Sequence, residues 1–260
     1  MALGTFDGVH TGHRAVISAA VKSARDTGCV PAVWCFSHIP KNFFLTMDKR
    51  VPLLSSCHDK INEIESLGVG LLVMPDVTHA LLSMPATEFL ARLYDSLSPS
   101  GIVCGYNYSF GCGAAGTPDT LREFFEPLGV PVTVINPVSV DGVYVSSTLI
   151  RDKIEAGDFG GKPDAASLLG RPYSVGGIYK SGIISLDGTV ALPPAGDYNV
   201  SLSARSDSPT GKDCSEIITS ITIVYDAVYD AAQSGIRCVR ALPHMPAPKL
   251  AEGDINVRFI

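Results

Sequence analysis

The sequence predicts an α/β fold: a Rossmann-like domain with a parallel sheet, followed by a smaller β-rich, barrel-like domain. Short β-branched runs alternate with helical stretches over the first part of the chain, and such alternation is typical of a parallel sheet covered on both faces. Beyond about residue 170, glycine and proline become dense and strand-like runs replace the helical periodicity. The predicted division is 1–157 for the first domain, 158–181 for a junction and 182–260 for the second domain.

The first domain is predicted to open with a short apolar strand within Met1–Phe6 and then to alternate helices with strands. The later strands are Val30–Phe36, Val69–Met74, Gly101–Cys104 and Val130–Ile135, and the helices are Arg14–Thr27, Asp59–Leu67, Ala86–Leu97 and Pro118–Leu128. Pro85 and Pro118 are expected in first turns, with Thr117 as an N-cap. Left-handed C-caps are expected at Gly28, Gly68 and Gly129.

The second domain is predicted from strand-like runs between turn residues. These runs are Gly182–Leu186, Tyr198–Leu202, Ile217–Tyr225 and Ile255–Ile260. Helical periodicity is weak there, and short strands joined by glycine- and proline-rich turns favour a small closed or half-closed barrel.

Composition limits the partners that the chain can have. Of its 260 residues 46% are hydrophobic and 18% charged, which is typical of a globular protein, and the formal net charge is −6. An acidic protein lacks the positive field that nucleic acids and anionic membranes attract, so neither is expected as a partner. The seven cysteines are widely spaced, without a C-x-x-C pair, and predict reduced thiols in the cytoplasm. Neither a leader nor a membrane span is expected.

The segment Gly4–His13 carries most of the functional signal. It contains three glycines, an aspartate and two histidines spaced as H-x-G-H, between a predicted strand and a predicted helix. A strand that feeds a glycine-rich turn and then a helix directs backbone N–H groups and the positive end of the helix dipole at one spot, which attracts phosphate. The two imidazoles add ring donors there, and Gly12 permits close approach of a ligand.

A second helix start, at Ser146–Arg151, has the same character. Its hydroxyl side chains can cap the first N–H groups of a helix, and the arginine projects from the same end one turn later. We expect this segment and Gly4–His13, called the two-histidine turn below, to converge on one triphosphate.

These segments together resemble a known family. The H-x-G-H motif is similar to that of nucleotidyltransferases, and Thr5-Phe6-Asp7-Gly8 resembles the prokaryotic FAD synthetases, which are FMN adenylyltransferases usually fused to a riboflavin kinase. Gly105–Gly111 resembles that family's loop where flavin and adenine nucleotides meet, and Ser146–Arg151 resembles its phosphate-binding segment. Leu168–Tyr173 is similar to the family's junction into the kinase domain.

The resemblance implies that the chain makes FAD from ATP and FMN, with Mg²⁺ bridging the ATP phosphates rather than held by metal-ligating side chains. It implies catalytic roles for His10, His13 and Arg151. The residues expected to bind ATP are Gly4, Phe6, Asp7, Gly8, Gly12, Ser146, Ser147 and Thr148. Those expected to bind flavin or nucleotide are Asn107, Phe110 and Gly111. Asp7 has an alternative role as a cap of its own turn.

The chain also departs from the family pattern. The stretch Ser174–Leu192 lacks the glycine-rich segment that the kinase domain carries after its junction, so we expect a degenerate domain without riboflavin kinase activity. Cys112 and Ser37 stand where the family has a basic and an acidic residue, respectively. Two alternatives therefore stay open: a non-catalytic flavin or nucleotide sensor, and an H-x-G-H nucleotidyltransferase with another acceptor, such as a pantetheine or nicotinamide mononucleotide.

Overall fold

The structure is a computed structural model that describes residues 1–204, 217–225, 239–243 and 253–260. It contains two compact units. The first comprises Met1–Leu45 and Asp59–Val145, and the second comprises Thr46–His58 and Ser146–Ile260.

The first unit is built on a five-stranded sheet in the order β3-β2-β1-β4-β5. The strands are β1 Ala2–Leu3, β2 Ala32–Trp34, β3 Leu71–Val73, β4 Ile102–Gly105 and β5 Val132–Ile135, and every pairing is parallel. A small antiparallel hairpin of β6 Ser139–Val140 and β7 Val143–Tyr144 follows β5.

Helices connect these strands and cover the sheet. The α-helices are α1 Thr11–Asp26, α2 Cys57–Ser66, α3 His79–Leu82, α4 Ala86–Leu97 and α5 Pro118–Phe125. Short 3₁₀ turns of this unit occupy Asp7–Val9, Pro40–Phe44, Cys112–Ala114 and Glu126–Leu128, and a further one at Met47–Lys49 belongs to the second unit. Thr117 and Thr120 form a reciprocal capping box at the start of α5.

The core of the first unit lies on both faces of the sheet because successive side chains of a strand point in opposite directions. Ala2 belongs to one apolar cluster, which includes Ile17 of α1 and Ile64 of α2. The next residue, Leu3, belongs to the other cluster, which includes Leu90 of α4 and several other side chains of α4 and α5. The prediction of a parallel sheet covered on both faces is confirmed.

Strand order determines where a ligand can bind. The chain runs outward through β2 and β3 on one side of β1 and through β4 and β5 on the other, so its order reverses between β1 and β4. In sheets of this kind, the loops that leave the two strands at such a reversal diverge at the carboxyl edge, and ligands bind between them. In this chain those loops contain Gly4–His13 and Gly105–Gly111, two of the segments singled out above.

The second unit contains a closed barrel with the strand order β10-β11-β12-β9-β8-β13. The strands are β8 Ser174–Lys180, β9 Ile183–Leu186, β10 Gly196–Ala204, β11 Ile217–Tyr225, β12 Val239–Pro243 and β13 Gly253–Phe259, all paired antiparallel. Two helices precede them, α6 Ser147–Glu155 and α7 Ala165–Leu169.

An earlier part of the chain, Thr46–His58, belongs to this second unit. Leu53 forms a parallel bridge with Val190: its N–H donates to the Thr189 carbonyl at 3.0 Å, and its carbonyl accepts from the Ala191 N–H at 2.7 Å. Leu53 and Leu54 are both buried, so this part of the segment packs into the second unit rather than forming a surface loop.

Several local predictions are confirmed and some are corrected. Gly28, Gly68 and Gly129 adopt φ values of 68°, 86° and 76°, as expected for left-handed C-caps. Pro85 is the N-cap of α4 rather than a first-turn residue. Helix α5 ends at Phe125, earlier than predicted, since Pro127 lacks the N–H that an α-helix needs.

The four predicted strands of the second domain are present: Ile217–Tyr225 has the predicted bounds, and the other three have shifted ends. Strands β8 and β12 were not predicted. Five described cysteines are free thiols, as expected, namely Cys29, Cys35, Cys57, Cys104 and Cys112. The prediction for Cys214 and Cys238 lies outside the described residues. In the described part of the chain, no helix combines the length and apolarity needed to cross a bilayer.

Candidate active site

The turn that follows β1 has an unusual backbone. Phe6 and Val9 have φ values of 50° and 41°, in the left-handed region that non-glycine residues rarely adopt, and Gly8 between them has a φ of 77°. Phe6 and Val9 are buried in the core, which compensates for the strain. A Cβ on Gly4 would lie 2.7 Å from the Phe6 ring, so only glycine fits there. Strained backbone of this kind concentrates at functional sites.

His10 is the N-cap of α1. Its Nδ1 accepts a hydrogen bond from the backbone N–H of His13 at 3.3 Å. A neutral imidazole has one protonated nitrogen, so an accepting Nδ1 leaves the proton on Nε2. The helix therefore begins three residues earlier than the sequence predicted, and both Gly12 and His13 belong to its first turn.

The His13 ring packs between aromatic neighbours. It stacks on the His10 ring with a centroid separation of 3.6 Å and an interplanar angle of 16°. The edge of Phe6 meets it at 5.3 Å and 90°. Gly12 keeps this stack compact, because a Cβ there would lie 3.2 Å from Cε1 of His10. The motif thus places two imidazoles face to face at one helix N-terminus.

His13 is held in its neutral form. Burial lowers its pKa well below the ordinary histidine value, and electrostatic interactions with His10 and Lys60 lower the pKa further. The residue as a whole is half-buried, yet its Nδ1 is inaccessible and has no hydrogen-bond partner among the described residues. A buried unpaired ring nitrogen suggests a role beyond packing.

Lys60 of α2 is a buried cation beside this turn that the sequence did not single out. It is 1% exposed, and its Nζ donates to the carbonyl oxygens of Thr5 at 3.2 Å, Phe36 at 2.9 Å and Ser37 at 3.3 Å. Nearby, Arg14 of α1 and Glu63 of α2 form an ion pair at 2.8 Å. The helical pattern around Lys60 gave no signal, since a lysine on an amphipathic helix is usually solvated.

The loop after β4 has an exposed part and a buried part. Asn107 is exposed, whereas Phe110 is buried and stacks on Tyr108 at 5.5 Å. Burial raises the pKa of the Tyr108 hydroxyl, so it stays protonated. Gly111 has a φ of 74°, and a Cβ there would lie 2.7 Å from the Ala86 backbone, so this glycine has a packing role.

In the second unit, Ser146 is the N-cap of α6, and its Oγ accepts from the Leu149 N–H at 3.2 Å. Ser147 and Thr148 occupy the first turn of that helix. Arg151 is half-buried, and its Nε donates to the Pro52 carbonyl at 2.8 Å. This bond fixes the stem of the guanidinium on the segment 46–58.

The predicted site residues thus fall into distinct groups. In the first unit, one group lies along the segment from the end of β1 to the first turn of α1, and it consists of Gly4, Phe6, Asp7, Gly8, His10, Gly12 and His13. A second group lies on the loop that leaves the neighbouring strand β4, and it consists of Asn107, Phe110 and Gly111. Asp7 is buried within the turn at 3% exposure. Ser146, Ser147, Thr148 and Arg151 belong to the second unit. Their ligand roles stay predictions. Within the described residues, no group of three or more His, Cys, Asp or Glu side chains could hold a metal ion.

Comparison with known proteins identifies the family. The family model described as FAD synthetase matches residues 1–149, more than half of the chain, and the chain belongs to this family. The family resemblance inferred from the motifs is confirmed. The substrates of FAD synthetases are ATP and FMN, and their product is FAD.

Individual relatives agree with this assignment. The chain is 27% identical over 223 residues to the bifunctional riboflavin kinase/FMN adenylyltransferase of Bacillus subtilis (strain 168), covering 81% of this chain and 69% of that protein. It is 28% identical over 198 residues to a FAD synthetase of Listeria monocytogenes, covering 76% and 79%. A bifunctional enzyme of Pseudomonas fluorescens is 33% identical over 178 residues, covering 67% and 55%. The match thus spans about half the length of the Pseudomonas fluorescens enzyme.

A solved structure has the same fold. The crystal structure of a macrolide-efflux protein from Streptococcus pneumoniae superposes with a TM-score of 0.80, covering 99% of this chain and 84% of that one. Sequence identity is 22%, so this likeness supports the fold and carries no function across.

Proposed function

We propose that this chain is an FMN adenylyltransferase that transfers the adenylyl group of ATP to FMN and releases pyrophosphate. The observation that carries the proposal is the two-histidine turn at the N-terminus of α1, where His10 caps the helix through Nδ1 and stacks on His13. Family membership supports the same reaction.

The reaction needs no protein nucleophile. A phosphate oxygen of FMN attacks the α-phosphorus of ATP, the bond to the β-phosphate bridging oxygen breaks, and pyrophosphate leaves in line. Catalysis then depends on positioning and on stabilising the charge that moves toward the leaving group. His10 offers Nε2–H to a phosphate oxygen, because its Nδ1 is already an acceptor. His13 acts as a neutral donor, since burial and nearby positive charge lower its pKa.

Arg151 and the start of α6 are proposed to hold the β- and γ-phosphates. Ser147 and Thr148 offer hydroxyls and first-turn N–H groups. The Arg151 guanidinium can bind phosphate in a bidentate manner, and the hydrogen bond from its Nε to the Pro52 carbonyl fixes its position. Asn107 is exposed on the loop after β4 and is proposed to orient a substrate.

Magnesium is proposed to enter as part of the substrate MgATP. The phosphate oxygens of ATP are the hard ligands that Mg²⁺ prefers, and the described residues offer no acidic cluster that would bind the ion first. In this assignment the chain's own side chains act on the phosphates, and no step depends on a protein-held metal.

We further infer that the second unit lacks riboflavin kinase activity. The glycine-rich segment expected after the junction is missing from Ser174–Leu192, and part of that stretch is strand β8 of the barrel. One relative is named FAD synthetase with no kinase in its name. The second unit is proposed to have kept the barrel fold and to have lost the ability to transfer phosphate to riboflavin.

One assay tests both proposals. The purified chain is incubated with MgATP and either FMN or riboflavin, and FMN, FAD and pyrophosphate are quantified after chromatography. FAD and equimolar pyrophosphate from FMN are expected, with no product from riboflavin. FMN formed from riboflavin would show an active kinase. Adenylylation of a pantetheine phosphate or of nicotinamide mononucleotide in place of FMN, or flavin binding without turnover, would contradict the adenylyltransferase assignment.

A further inference from the structure

Lys60 is a buried cation that the proposed mechanism does not use. Its side chain is 1% exposed, and its Nζ meets the backbone carbonyls of Thr5, Phe36 and Ser37 within 3.3 Å. Each of these carbonyls can accept an N–H of the ammonium group, so the protein itself solvates the charge.

Burial of an ammonium group has a large desolvation penalty, which the hydrogen bonds to three carbonyls do not by themselves explain. Removing a charged group from water costs several kcal/mol even after relaxation, and an apolar side chain on α2 would add packing without that cost. A lysine at this place therefore suggests that the charge itself has a use.

The carbonyls belong to two loops that matter for the site. Thr5 lies in the turn between β1 and His10, and Phe36 and Ser37 lie in the loop that follows β2. Because β1 and β2 are parallel neighbours, these loops leave the same edge of the sheet. Lys60 thus joins the start of the two-histidine turn to the adjacent loop.

The Lys60 charge also acts on His13. After burial, which lowers the pKa of His13 most, electrostatic interactions with His10 of the same turn and with Lys60 of α2 oppose protonation of His13 and lower its pKa further. In a chain of net charge −6, a fixed cation behind this turn makes the local potential more favourable for phosphate.

We propose that Lys60 is a positioning residue of this site: its ammonium fixes the two-histidine turn to the loop after β2 and places a permanent positive charge behind the ATP phosphates. The inference rests on the proposed function for its ligand, although the link between Lys60 and His13 can be measured without activity.

The main test compares Lys60→Met, which keeps the aliphatic length and removes the charge, with the control Lys22→Met. Lys22 lies on the exposed face of α1 and pairs with Asp26. Lys60→Met is expected to lower kcat/KM for ATP about 10- to 100-fold, the scale for one charged hydrogen-bonding group. NMR titration is expected to show a higher pKa for His13 in this variant and no change in Lys22→Met.

A merely structural lysine would give a different result. Lys60→Met would then melt at a lower temperature while its kinetics and its His13 titration, measured well below melting, stayed those of the wild type. That outcome overturns the proposal. Lys60→Arg keeps the charge, so it is expected to recover part of kcat/KM and the low His13 pKa.

A measurement on the wild type covers the case in which Lys60→Met does not fold. One lysine ammonium group is expected to exchange slowly in ¹⁵N spectra and to shift when the non-hydrolysable analogue α,β-methylene-ATP is added. Absence of a shift on saturation with the analogue overturns the proposal. If the wild type forms no FAD but this resonance shifts, the adenylyltransferase assignment fails and the positioning role stands.

Discussion

Two helices begin at candidate phosphate-binding segments, and their caps differ. At α6 the exposed Ser146 accepts the Leu149 N–H through Oγ at 3.2 Å. At α1 the buried His10 accepts the His13 N–H through Nδ1 at 3.3 Å. Serine is among the strongest N-cap residues, and histidine is not. An imidazole in this position is therefore best explained by its second nitrogen, so the unfavoured cap supports the proposal that the α1 start takes part in the chemistry.

Removal of the His13 imidazole, which stacks on His10, should have the largest effect on catalysis. His13→Ala is expected to cost about 2–4 kcal/mol of transition-state stabilisation, the scale for loss of one preorganised donor. Steady-state formation of FAD from FMN and MgATP measures this loss through kcat/KM. The exposed His79 on α3 supplies the control, His79→Ala, which should retain activity. A His13→Ala rate close to that of the wild type would mean that His13 is not a phosphate donor.

Exchange of the unusual cap for an ordinary one separates capping from chemistry. In His10→Asn, the side-chain oxygen can still accept the His13 N–H, and asparagine is a preferred cap. The free energy of unfolding should therefore change by only about 1 kcal/mol, whereas loss of Nε2–H should lower kcat/KM about 100-fold. Urea unfolding and kinetics on the same sample check both values. Equal, small losses in both would assign His10 a purely structural role.

The α1 start should also be sensitive to pH. The pKa of His13 is lowered in the folded state, so the unfolded chain binds more protons than the folded chain once the pH falls below about 6.5. Protonation of His13 in the unfolded chain then lowers the free energy of unfolding by up to about 1.4 kcal/mol per pH unit. Above that pH, His13 is neutral in both states and this loss of stability is absent. The difference in unfolding free energy between the wild type and His13→Gln should therefore change between about pH 7 and pH 5. A constant difference would indicate that His13 titrates normally.

The ordinary cap at α6 should give the smallest effect. Ser146→Ala is expected to cost about 1 kcal/mol of stability, the usual value for a lost hydroxyl cap, and Ser146→Asp should restore it. Thermal unfolding of the three proteins measures this. A larger fall in kcat/KM than in stability would instead assign the Ser146 hydroxyl to ligand binding.

Much of the fold could be predicted from the sequence because its signals are local. Alternation of apolar strands with helices and glycine C-caps predicted the parallel sheet. Strand β8 escaped prediction because Gly176 and Gly177 resemble turn residues. At Gly177, however, a Cβ would lie 2.9 Å from the Ser185 carbonyl, so glycine there serves the close approach of two barrel strands. Only the tertiary pairing reveals that requirement.

The candidate site could be predicted where a sequence motif contains its residues. The H-x-G-H spacing singled out both histidines, whose catalytic roles stay predictions, and their ring stack follows from their shared helix turn. The cap at His10 was not predicted, since histidine is not a typical N-cap. Lys60 was not predicted either, because its carbonyl partners lie 55, 24 and 23 positions away in the chain. Contacts at such separations have no local sequence signature.

The bridge between Leu53 and Val190 has a practical consequence for dissecting this protein. The second unit draws on two stretches of chain, so no single cut separates the two units intact. A fragment that stops before Ser146 would carry Leu53 and Leu54 without Thr189 and Ala191, leaving apolar surface and backbone groups unpaired. Removal of the barrel by truncation should thus favour aggregation, and a soluble fragment of the first unit would need the stretch 46–58 redesigned as well.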